Sequence, residues 1–229
     1  MARRTKEEAQ ETRASILDAA ERVFYDKGVA RASLEDIAAA AKVTRGAIYW
    51  HFKDKADLFT AMVDRVVLPW EEAHEALLAA APVDRPLETL AFLATDPLER
   101  LQASVHIQQV FRIAMHFTEY IDDFAPVRQH QVDSIDHYLN EMAVLFERAA
   151  SRQLLVAGIP PRAAAMGLFA LVDGLMRHWV LLPQQFDLVS TGRIAVTAYL
   201  AGLTAPTAAA PAAPAGSPQK SPARPAPST

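Results

Sequence analysis

The segment Ser33–Phe59, SLEDIAAAAKVTRGAIYWHFKDKADLF, constrains this chain more than any other part of it. Ser33 is a favoured N-cap residue, and Asp36 completes a capping-box-like pair ahead of Ile37, Ala38 and Ala41. Thr44 caps a second helix that can run only to about Trp50, before the Lys53-Asp54-Lys55 break. Leu34, Ile37, Val43 and Ile48 are the apolar side chains that clamp the two helices, which leaves Arg45, Tyr49, His51, Lys53 and Lys55 facing outward. Two short capped helices with a basic, aromatic outer face have the form of a helix-turn-helix, whose second helix enters the major groove of DNA.

Charge agrees with that reading once it is divided along the chain. The formal net charge is -4, yet residues 1–60 hold 11 Lys+Arg against 10 Asp+Glu. Lys42, Arg45, Lys53 and Lys55 face Asp54 alone within the reading segment, and Arg3, Arg4 and Lys6 form a basic N-terminal arm. A short positive footprint on an acidic body suits site-specific binding. With 229 residues the chain can bury a full core, and no cysteine is present, which excludes thiolate catalysis, disulfides and Cys-ligated metals. No uninterrupted apolar run is long enough to cross a bilayer and the N-terminus lacks a signal-peptide core, so a soluble, cytoplasmic protein without membrane contact is expected.

The pattern predicts an all-α chain. A first helix, beginning between Lys6 and Thr12, ends at Lys27 with Gly28 as a left-handed cap. A long helix capped by Asp54 and Asp57 should end or kink at Pro69, near Trp70. Pro86 opens a helix expected to fade by Thr95. Asp96-Pro97-Leu98-Glu99 is a start signal for another, reaching about Phe117. Further helices are expected from Pro126 to about Arg152, from Arg162 to Leu182, and from Leu188 to Leu203. From Ala205 onward the Ala/Pro/Ser composition predicts a disordered tail. The expected domains are 1–55, 56–204 and a tail at 205–229.

The run TRASILDAAERVFYDKGVARASLEDIAAAAKVTRGAIYWHFKDKADLF resembles the DNA-binding region of TetR-family repressors. MARRTKEEAQETR and VTRGAIYWHFKDKADLF resemble the acridine-resistance branch, repressors of multidrug efflux pumps, as does LVDGLMRHWVLLPQQFDL far downstream. The resemblance implies a three-helix N-terminal domain carrying the helix-turn-helix, followed by a helical ligand-binding and dimerisation domain. It implies a homodimer held by 162–182 and 188–203, double-stranded operator DNA as partner, and a small drug-like inducer. The same fold could instead repress metabolic genes and sense a metabolite. A helical binding protein or enzyme with a vestigial DNA head is the rival from another class.

Carried over residue by residue, Thr44 to Lys55 would contact the operator, with Arg45 on a guanine edge. Tyr49 and Trp50 would meet thymine methyls or phosphate; Thr44, His51, Lys53 and Lys55 would meet phosphate; Arg3 and Arg4 would reach a groove. The alternative for Arg45 is a solvated surface charge, and the alternative for Trp50 is packing on Phe52 and the first helix. The family usually has glycine where this chain has Lys42, which demands either a left-handed lysine or a shifted turn. Asp173 interrupts an apolar helix, so it either borders the ligand pocket or pairs with Arg177 one turn later. Gln109, Arg112, His116, Met176 and Arg177 are the other candidate ligand contacts, with Phe111, Phe117, Met142 and Trp179 as apolar walls. The branch's Lys-Cys-Glu stretch near 114–116 is replaced by Ala114-Met115-His116. No HExxH, phosphate loop or nucleophile elbow is found, so no metal, cofactor or catalysis is expected.

Overall fold

The computed structural model describes residues 2–80, 84–116 and 124–204, and among them the chain is helical apart from one isolated bridge between Leu155 and Thr204. The helices are α1 (Ala2–Lys27), α2 (Leu34–Ala41), α3 (Arg45–His51), α4 (Lys55–Ala80), α5 (Pro86–Ala103), α6 (Val105–His116), α7 (Ala125–Ser151), α8 (Pro161–Leu181) and α9 (Leu188–Leu203). The tail expected at 205–229 and Phe117 lie outside the described residues.

Local chemistry sets the first three helices. Gly28 closes α1 at φ 78. The Ser33 hydroxyl accepts from the Asp36 amide at 3.1 Å while the Asp36 carboxylate accepts from the Ser33 amide at 3.1 Å, a complete capping box. Thr44 accepts from the Ala47 amide and opens α3. Leu34, Ile37 and Ile48 are buried together with Ile16, Leu17, Phe24, Phe52 and Phe59. This core does not stop at residue 55: Met62, Val110, Ile113, Phe124 and Val127 belong to it, so the reading helices are cemented to α4, α6 and α7.

Two helices continue past positions at which an end was among the expectations. α4 continues past Pro69, because the residues beyond the proline are anchored from α5: Trp70 Nε1 donates to the Asp96 carboxylate at 3.1 Å, and His74 Nε2 meets the same oxygen at 3.2 Å. That commitment explains the second departure. Asp96 also accepts from Arg100 at 2.7 Å, and instead of capping a new helix it lies inside α5, which runs on to Ala103. Pro97 removes the amide that would bond Leu93 O, and the Tyr138 hydroxyl donates to that carbonyl at 3.3 Å instead. The break comes at Ser104, whose extended backbone separates α5 from α6.

The second core joins α5, α7, α8 and α9 through Leu90, Leu98, Met142, Phe146, Leu168 and Val196. α9 lies close on α5 because Gly192 has no side chain: a Cβ there would meet Leu98 at 2.1 Å. α8 is long and apolar enough to cross a membrane, which a search for an unbroken apolar run passes over because Arg162, Asp173 and Arg177 interrupt it. Here it packs against α7, α9 and α5.

Candidate nucleic-acid interface and internal cavity

The turn between α2 and α3 adopts the first of the two conformations open to Lys42: φ 58 and ψ 36, the left-handed region, with its side chain exposed. Its amide bonds to the Ala38 and Ala39 carbonyls, so the turn keeps its register despite the missing glycine. α3 then presents Arg45, Tyr49 and Trp50 outward. Trp50 is 73% exposed, so it packs on neither Phe52 nor α1; it meets His51 edge-on at 4.5 Å between ring centroids. Arg45 is exposed but not loose. It forms an ion pair with Glu35, donates to the Tyr49 hydroxyl at 2.9 Å and lies 5.3 Å from the Tyr49 ring centroid, and these contacts hold its pKa above the ordinary value, the Tyr49 hydrogen bond first. Thr44 and Lys53 are exposed beside it. Burial, then the Arg13 charge, lowers the His51 pKa and favours the neutral ring.

Lys55 departs from the expected phosphate contact. Its ammonium points inward and donates to Val29 O at 2.9 Å, Ala30 O at 3.3 Å and Ala32 O at 3.0 Å, with the Phe124 ring 5.7 Å away. The turn after α1 leaves three carbonyls without helical partners, and a lysine at the start of α4 is in reach of all three. The side chains of Arg3 and Arg4 lie outside the described residues.

A cavity of about 540 Å³ opens between α4, α6, α7 and α8. Val63, Val66, Ile107, Phe111, Ile135 and Phe169 supply apolar wall, and Asp173 and Met176 also line it. Asp173 is also paired with Arg177 at 2.6 Å, so the carboxylate that borders the cavity carries the ion pair. Arg177 itself does not line the cavity. Gln109 and Arg112 do not either, because α6 faces inward along Ile107, Val110, Phe111 and Ala114. Gln109 falls on the exposed opposite side; Arg112 instead donates to Tyr25 of α1 at 3.1 Å and to Val180 O of α8 at 3.0 Å. The His116 side chain lies outside the described residues. Of the expected apolar walls, Phe111 lines the cavity, whereas Met142 and Trp179 belong to the second core.

Two histidines whose spacing suggests no metal site, His130 and His137, and four carboxylates not expected at the site dominate the polar lining. Asp64, Glu71 and Glu75 of α4 oppose His130, His137 and Glu141 of α7, all on the cavity wall. His130 meets Asp64 at 2.9 Å, and His137 meets Glu75 at 3.4 Å and Glu141 at 3.7 Å. Burial first, then neighbouring carboxylates, raises the Glu71 pKa; burial likewise raises that of Glu141. The signal was available: both helices repeat titratable residues at spacings of seven and four, which puts each set on one face. The cavity also communicates with the reading head. Arg65 on its wall donates to Asp18 at 2.6 Å and Glu21 at 3.2 Å of α1, and His106 of α6 meets Glu21 at 2.9 Å.

A helix-turn-helix joined through one long helix to a cavity-bearing helical body defines a class of ligand-responsive DNA-binding regulators, and the comparisons with known proteins agree. Residues 16–62 match the family described as bacterial regulatory proteins, tetR family, and residues 85–205 match the C-terminal region of MAATS-type transcriptional repressors. The chain belongs to the TetR family of transcriptional regulators, which bind DNA and are not enzymes. It is 40% identical over 192 residues to the HTH-type transcriptional regulator TtgR of Pseudomonas putida, covering 82% of this chain and 90% of that one. Among solved structures it resembles NalD, the secondary repressor of the MexAB-OprM multidrug efflux pump in Pseudomonas aeruginosa. That match has a TM-score of 0.79 and 34% identity, over 86% of this chain and 98% of that one. It also resembles SmeT, repressor of the Stenotrophomonas maltophilia pump SmeDEF, in its complex with triclosan. There the TM-score is 0.76 and the identity 30%, over 91% and 100% of the two chains.

Proposed function

We propose that this protein is a dimeric repressor of a multidrug efflux operon, released from a pseudo-palindromic operator by a drug-like ligand. The observation that carries the reading is the continuity of α4, which begins beside the reading helix and forms one wall of the cavity. A ligand seated there bears on the same helix that holds the head. The relative TtgR supports a role in transcriptional regulation, and NalD and SmeT support the efflux role through the pumps that they repress. The exposed faces of α8 and α9, with Met166, Leu181 and Ile194, support a four-helix interface with a second copy. Two heads related by a two-fold axis then read two half-sites about one helical turn apart. On DNA, Arg45, Tyr49, Trp50 and Thr44 are the contacts, with His51, Lys53 and the Arg3–Arg4 arm on the backbone. Such a regulator works in the bacterial cytoplasm.

The cavity chemistry supports an inducer with an apolar body and a cationic or hydrogen-donating end. To empty the operator, the ligand must favour the spread form of the dimer by about 5 kcal/mol. Footprinting on the DNA upstream of the protein's own gene tests the proposal. Protection of an inverted repeat that pump substrates abolish is the expected result; protection that responds only to a metabolite would move the function to metabolic control, and no protection would end it.

A further inference from the structure

We infer that Glu35 of α2 is a specificity-determining residue that buttresses Arg45, presenting its guanidinium to a base edge in one orientation. The inference rests on the proposed reading role of Arg45. An arginine at the start of a short exposed helix has many rotamers, and in a loose state it meets any phosphate in reach. Here both terminal nitrogens are held. One pairs with the Glu35 carboxylate and the other donates to the Tyr49 hydroxyl at 2.9 Å. The two partners come from different helices, ten residues before Arg45 and four after it.

The position of Glu35 follows from the α2 cap. The Ser33–Asp36 box sets the first turn, Leu34 and Ile37 are drawn into the core, and Glu35 between them is left on the outer side. Each terminal nitrogen of a guanidinium carries two N–H groups, so Arg45 keeps donors for DNA while it is held. Guanine offers two acceptors in one fixed arrangement, whereas phosphate accepts from many directions. A fixed fork therefore loses least freedom at guanine, and a mobile one spreads its affinity over the backbone. The Glu35 charge opposes phosphate as well, so removing it changes overall affinity little and discrimination more.

The test compares wild type, Glu35→Gln, Arg45→Ala and the double variant. Fluorescence anisotropy measures each on the operator and on a scrambled duplex of equal length, across a salt series. The Glu35→Gln change is isosteric and exposed, and its thermal midpoint checks that the fold is kept. It should lower the operator-to-scrambled affinity ratio about threefold, the scale of an exposed ion pair, and steepen the salt dependence on scrambled DNA. In the Arg45→Ala background the same change should leave the ratio unaltered, because the guanidinium that Glu35 orients is gone; simple repulsion would leave the ratio unaltered in the wild-type background as well. An unchanged ratio with both duplexes bound more tightly would overturn the inference and leave Glu35 a mere competitor. If Arg45→Ala alone leaves the ratio untouched, the reading role of Arg45 fails, and the inference with it.

Discussion

At the scale of single residues, Lys55 and Asp96 work in the same manner with opposite charge: each gathers several partners that would otherwise be unsatisfied. Lys55 serves three carbonyls of the turn after α1, and Asp96 serves Trp70, His74 and Arg100. Charge-assisted hydrogen bonds to part-buried groups are worth about 2 kcal/mol, so Lys55→Ala should lower stability by an amount of that order. Its slope of log affinity against log salt should match wild type; a slope shallower by about one would return Lys55 to the phosphate-contacting set. The outward side chains Arg45, Tyr49 and Trp50 were legible because a short helix has one apolar face and everything else must point away. Lys55 was not, since its partners lie more than twenty residues back in the chain and no spacing rule connects them.

At the scale of elements, the helices whose ends are set by neighbouring residues were legible to within a few positions. Gly28, the Ser33 box, the Thr44 cap and the Asp187 cap of α9 are local devices. The break expected before Asp96 did not occur, and of the two outcomes expected at Pro69 the helix end did not, because long-range partners override the local signal. Lys42 holds a left-handed backbone that glycine adopts freely, so Lys42→Gly should stabilise the protein by about 1 kcal/mol in urea unfolding. Asp36 has its pKa lowered from 3.8 to about 2, by the Lys27 hydrogen bond first and then the Ser33 amide and hydroxyl. A depressed folded pKa means that its contribution is complete above the unfolded value and is lost on acidification. The thermal midpoint should therefore fall between about pH 4 and pH 2 through this group, and Asp36→Asn should flatten that part of the curve.

At the scale of the whole molecule, the all-helical class and the division into a reading head and a sensing body were legible. The cavity was only partly so. A pocket is a property of several helices at once, and α4 and α7 supply most of its charge from faces that look merely solvated in one dimension. Glu71 is half-buried on that wall, and burial and Asp64 raise its pKa, so a bound cation would relieve it. Calorimetry with a quaternary ammonium probe and its neutral isostere should find that Glu71→Gln weakens the cation about tenfold and spares the neutral compound. Equal losses for both probes would assign Glu71 to structure alone.

The half-buried lysine that ties the start of the long helix to the turn after the first helix has a mechanical consequence. Pulling that helix away from the turn would cost three charge-assisted hydrogen bonds, so the head and the start of the long helix travel as one solid piece. On the proposed mechanism, whatever arrives in the body reaches the duplex as a tilt, and the distance between two such tilting pieces is the quantity that the operator feels.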